Sequence, residues 1–86
     1  MIVEIDYHTT TRIEADDFKQ ARKMFKENYN GIPTSFCEII PLTVMGDFAT
    51  IYQRGEVKPV IGISDTGLPV FDDDKFKNEY GTITLL

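Results

Sequence analysis

Residues 15–29, AlaAspAspPheLysGlnAlaArgLysMetPheLysGluAsnTyr, constrain the fold more than any other part of the chain. At about 100° per residue, Phe18, Ala21, Met24, Phe25 and Tyr29 fall on one arc and Lys19, Arg22, Lys23 and Lys26 on another. This separation predicts an amphipathic helix over about 16–29, with its apolar arc on a sheet and its cations in water. Asp16 is expected as the N-cap and Asp17 in the first turn, where carboxylates oppose the positive end of the helix dipole. Asn30-Gly31 is expected to end the helix, and Pro33 to prevent its resumption.

The flanking sequence reads as strand. Val3, Ile5, Tyr7, Thr9, Thr11 and Ile13 share one parity, and Glu4, Asp6, His8, Thr10, Arg12 and Glu14 the other. Two readings fit: one bent strand over 3–14, or a hairpin turning near His8 to Thr10. The hairpin is favoured, because strands beyond about ten residues are unusual in small domains. Residues 36–44 read as a strand in which Pro41 suggests an edge or a bulge. Residues 48–54 and 57–64 read as two strands around a Gly55-Glu56 turn. Asp65-Thr66-Gly67 then turns the chain into Leu68 to Phe71. Asp72 is expected to cap a short helix over about 73–80, with Phe71 and Phe76 as a hydrophobic staple. Residues 82–86 read as a last strand. The expectation is therefore α+β: a largely antiparallel sheet of five to six strands, one long helix on one face, and a short second helix.

Composition bounds the function classes. Eighty-six residues with 42% hydrophobic content fit a single globular domain, 1–86, with no spare volume for a deep substrate cavity. Nine Lys and Arg stand against fourteen Asp and Glu, and four of those nine lie in the helix segment. The net charge of −5 weighs against nucleic acid as the default partner and favours a basic protein. A single cysteine, Cys37, excludes an internal disulfide framework, and with His8 as the one histidine a structural zinc site lacks ligands. No apolar run reaches membrane-spanning length and no signal pattern opens the chain, so a cytoplasmic protein is expected.

Five groups of residues could carry chemistry. Asp65-Thr66-Gly67, after ValIleGlyIleSer, resembles the D-T-G triplet of aspartic proteases. That resemblance implies a homodimer in which two copies of Asp65 share a proton. The chain departs from the pattern where Leu68-Pro69 follows the glycine and where the apolar-apolar-Gly run (Val60, Ile61, Gly62) precedes the triplet. A tight turn accounts for the same three residues. Asp72-Asp73-Asp74 lacks the alternation and central glycine of a calcium loop, and helix capping explains it, so no metal and no cofactor are expected. His8 reads as solvent-facing and Cys37 as semi-buried.

The remaining two groups are surfaces. Asp65, Asp72, Asp73, Asp74 and Glu79 form a carboxylate-dense segment that could occupy a basic groove on a protein that handles nucleic acid. Lys19, Arg22, Lys23 and Lys26 could instead dock an acidic protein or a nucleic-acid backbone. The leading expectation is a small non-catalytic inhibitor or regulator of a basic protein partner. The alternatives are binding through the helix cations and the dimeric protease. Nuclease inhibitors, immunity proteins and phage anti-defence inhibitors share this size and charge, which is a likeness of composition alone. Homodimerisation through an edge strand, 82–86 or 36–44, is a further expectation.

Overall fold

The alternation of residues 3–14 becomes a hairpin. In the computed structural model, which describes residues 1–43, 50–74 and 83–86, β1 (Ile2–Asp6) pairs antiparallel with β2 (Thr10–Glu14). The loop is closed by the Tyr7 N–H donating to the Thr9 carbonyl at 2.8 Å and the Thr10 hydroxyl donating to Asp6 at 3.0 Å. Val3 stands opposite Ile13 and Ile5 opposite Thr11, so the parity read from sequence defines the buried face.

The helix α1 spans Phe18–Asn28, eleven residues, and is shorter than the 16–29 expected. Its N-cap is Asp17 rather than Asp16: the Asp17 carboxylate accepts from the Gln20 N–H at 2.7 Å, while the Gln20 side chain accepts from the Asp16 N–H. This reciprocal pair satisfies donors that the first turn leaves open, and it keeps both aspartates outside the helix. At the other end Tyr29, extended in backbone, closes the last turn by donating to the Phe25 carbonyl at 2.9 Å.

β3 (Ser35–Thr43) lies between β1 and β4 (Thr50–Ser64); with β5 (Pro69–Phe71) the order is β2-β1-β3-β4-β5, and β6 (Ile83–Leu85) is also on β4. The strand pairs are all antiparallel. The expected Gly55-Glu56 turn is not a turn. β4 runs unbroken through it, because Cys37 faces Val57 while Ile39 faces Arg54, so Gly55 and Glu56 together stand opposite Glu38. Two residues against one is a β-bulge, which breaks the period of two just as a short turn does. β5 (Pro69–Phe71) and β6 flank the last residues of β4, since Gly62 and Ile63 pair with both. At Gly62 a Cβ would lie 2.6 Å from the Thr84 carbonyl oxygen, so glycine is what lets β6 approach.

Asp72–Asp74 form a 3-10 turn directly after β5. The expected helix over 73–80 lies outside the described residues beyond Asp74, as do Phe76 and Glu79. Phe71 is buried in the core, with its ring 5.2 Å from that of Phe36 and 6.2 Å from that of Phe18.

The core sits between α1 and the sheet. Phe25 is central: its ring meets Tyr7 at 5.0 Å and Phe36 at 6.1 Å edge-on, and stacks on Tyr29 at 5.4 Å. Val3, Ile5, Ala15, Ala21, Val60 and Phe71 complete the cluster, with Phe18, Met24 and Tyr29 packed against it. The apolar arc read from the sequence is thus the docked face. Burying each large member contributes about 1.5–3 kcal/mol.

Candidate functional site

Of the four helix cations, Lys19, Lys23 and Lys26 are exposed, and Arg22 is not. Arg22 is 4% exposed, donates from Nη1 to the Pro69 carbonyl at 3.3 Å, and lies with its guanidinium 5.2 Å from the centre of the Phe71 ring. It belongs to the helix–sheet interface rather than to a cationic ridge. Three lysines remain as the basic surface.

The acidic residues divide. Asp65 lies in the turn between β4 and β5, whose backbone is set by the Gly67 N–H donating to the Ser64 carbonyl and the Ser64 N–H donating to the Leu68 carbonyl, both at 2.9 Å. The buried Ser64 hydroxyl bonds Thr66 at 2.9 Å and accepts from the Leu68 N–H at 3.0 Å. Gly67 has φ +88, a backbone conformation that glycine adopts without strain. The D-T-G triplet is therefore the turn of a hairpin, with Asp65 exposed. The Asp72–Asp74 turn is at the opposite end of β5, about 10 Å away by strand rise. Asp65 and the Asp72–Asp74 turn thus stand at the two ends of β5.

Cations interleave with them. A Cβ on Gly67 would lie 3.4 Å from Lys26 Cε, so the last-turn lysine of α1 rests on the D-T-G turn. Lys58 on β4 donates to the Asp73 carboxylate at 2.6 Å, has Glu56 at 3.5 Å, and lies 5.8 Å from the Phe18 ring centre. The hydrogen bond to Asp73 holds the Lys58 ammonium above the ordinary lysine range. Desolvation opposes this, and the charges of Asp73 and Glu56 reinforce it. Asp72 and Asp73 are both exposed. Lys58 was not legible as part of this surface, because it comes from a strand fifteen residues earlier in the chain.

Two apolar features were also missed. A groove of about 450 Å³ opens between the end of α1 and β6, lined by Phe25, Tyr29, Ile32, Pro33, Ile63 and Leu86, with Lys26 and Gly67 among its other walls. The second feature is an arm. Past Ile39 the β3–β4 pair continues without β1, from Ile40 opposite Gln53 to Thr43 opposite Thr50. Ile40 (37% exposed), Leu42 (42%) and Ile51 (52%) share one of its faces, and Tyr52 (47%) is on the other beside Arg12. His8 is exposed, with its ring 4.6 Å from that of Tyr7, and Cys37 is fully buried rather than semi-buried. Among the described residues no group of three or more His, Cys, Asp or Glu is placed to hold a metal ion, and no helix is long and apolar enough to cross a membrane.

Among the described residues these elements define an α+β protein with an open, mostly antiparallel six-stranded sheet and one α-helix. No protein-family model matches the chain, and neither curated proteins nor solved structures give a significant match to it.

Proposed function

We propose that the chain is a non-catalytic protein-binding module that docks a basic surface of its partner through the carboxylates following β5. The observation that supports this reading is the setting of Asp72 and Asp73. Both are exposed on a short turn held by the buried residues of β5, and Lys58 fixes the Asp73 carboxylate in place. A carboxylate already held in one rotamer loses less entropy when a cation docks on it. Asp74 follows in the same turn and adds charge. Asp65, across β5, extends the acidic rim on the other side.

The test is capture of partners from the source cell at two salt concentrations with the wild-type chain and with Asp72→Asn/Asp73→Asn/Asp74→Asn. The reading expects a basic protein retained at low salt, released at high salt and lost with the triple variant. A partner held equally by the variant would remove the acidic surface from the account.

A second reading is favoured by the solvent-facing Lys19, Lys23 and Lys26, which project from one side of α1. It assigns them to an acidic protein or a nucleic-acid backbone. Replacing the three with Gln should then abolish a mobility shift seen at low salt. Absence of any shift for the wild-type chain sinks this alternative.

A further inference from the structure

We infer that two copies of this chain pair through the open edge of β4 in the arm, antiparallel, about a two-fold axis at Tyr52. β3 occupies one edge of β4 from Thr50 to Pro59, and among the described residues no strand pairs with the other edge over that run. Exposed strand edges of this length recruit another strand unless they are blunted. Here the blunting devices crowd into one half. Arg54, the bulge at Gly55-Glu56, Lys58 and Pro59 guard the second half. Thr50, Ile51, Tyr52 and Gln53 carry neither charge, proline nor glycine, and Ile51 and Tyr52 are about half exposed.

Alternation of side chains selects the register. In an antiparallel two-fold pair, opposed residues lie on the same face, so a residue meets its own copy or one of equal parity. Centring on Arg54 opposes two guanidinium groups and is unfavourable. Centring on Gly55 sets Arg54 against Glu56, but the bulge has placed those two on opposite faces. Arg54 reaches Glu4 on the β1 face away from the helix, whereas Glu56 meets Lys58, whose ammonium lies over Phe18 on the helix side. Centring on Tyr52 sets Thr50 against Arg54 and Ile51 against Gln53, stops short of the bulge, Lys58 and Pro59, and opposes no like charges. The arm also suits self-pairing electrostatically. Although the chain carries −5 overall, residues 40–43 and 50–54 contain no carboxylate and a single cation, Arg54.

This pairing is independent of the acidic surface proposed above. It leaves Asp65, beyond the far end of β4, about 40 Å from the axis by strand rise. It therefore does not bring two D-T-G triplets together.

A five-residue ladder buries little area, so Kd is expected on the order of 0.1 mM. Sedimentation equilibrium of the full chain should show a mass rising with concentration from 9.8 kDa toward twice that value. Tyr52→Lys, a surface change that sets two ammonium groups face to face, should weaken association by more than about tenfold with an unchanged circular dichroism spectrum. Tyr52→Cys should cross-link to its own copy under mild oxidation, and Lys23→Cys, on the exposed side of α1, should not. A mass that stays at 9.8 kDa up to about 1 mM overturns the inference. So does association that survives Tyr52→Lys, or cross-linking that is no better at position 52 than at 23.

Discussion

Truncating Arg22, the buried cation of α1, has a measurable consequence. Arg22→Ala removes a charge-assisted hydrogen bond to the Pro69 carbonyl, a cation–π contact with Phe71 and the packing of a long stem against the core. A hydrogen bond to a charged group contributes about 1.5–3 kcal/mol and a desolvated cation–π contact up to about 2 kcal/mol. The cost of keeping a guanidinium out of water offsets part of this. The net loss is expected at about 2–4 kcal/mol, after allowing for the slightly better helix propensity of Ala. For a domain of this size that corresponds to a fall in Tm of roughly 10–25 °C. Lys23→Ala, one residue along on the exposed side, should cost less than about 0.5 kcal/mol. Urea titrations followed by circular dichroism, fitted with a common m-value, give both numbers. If the two variants agree within about 0.5 kcal/mol, Arg22 is not enclosed and the helix orientation described here is wrong.

Three further outcomes follow from specific contacts. Asp17→Ala should destabilise by about 1 kcal/mol and Asp16→Ala by much less, since the Asp17 carboxylate is the one that caps α1; equal losses in chemical denaturation would contradict that assignment. Gly62→Ala should cost about 1–3 kcal/mol and raise amide exchange selectively over Ile83–Leu85, because the new methyl group meets the Thr84 carbonyl; unchanged exchange there would refute the close approach of β6. The Lys58–Asp73 pair gives an alkaline signature. With the folded pKa of Lys58 raised, its stabilisation is full below the ordinary lysine value and declines as pH rises through the raised one. Because the pair is at the surface, the effect is below about 1 kcal/mol. It should shrink in Asp73→Asn, where only Glu56 still holds the ammonium, as read by thermal melts between neutral and strongly alkaline pH; an identical pH dependence in the variant argues against the pair.

The docked arc of α1 was readable because five apolar residues repeat at helical spacing in a stretch free of Gly and Pro. The same arithmetic places Arg22 about 40° from Phe18, and Tyr29 only about 20° from Phe18, so Arg22 belongs by angle to the buried arc. Grouping it with the lysines by charge concealed this. The hairpin of β1 and β2 was legible because parity survives its short loop, leaving Val3, Ile5 and Ile13 on the helix side. The continuity of β4 was not legible. A bulge and a two-residue turn each interrupt alternation at a glycine, and what separates them is whether nine residues of β3 extend alongside. The arm was hidden for the same reason. Once Gly55-Glu56 is read as a turn, nothing in the pattern marks Ile51 and Tyr52 as part of a projecting edge.

The unbroken β4, with Gly55-Glu56 as a bulge opposite Glu38, decides the sheet order, the arm and the open edge together. The most direct measurement is the set of backbone nuclear Overhauser contacts of residues 50–59 in the isotope-labelled full chain. Contacts joining Arg54 to Ile39, Tyr52 to Pro41 and Val57 to Cys37 are predicted. Contacts joining Arg54 to Val57 and Gln53 to Lys58, with none to β3, would establish a hairpin at Gly55-Glu56 and contradict the architecture.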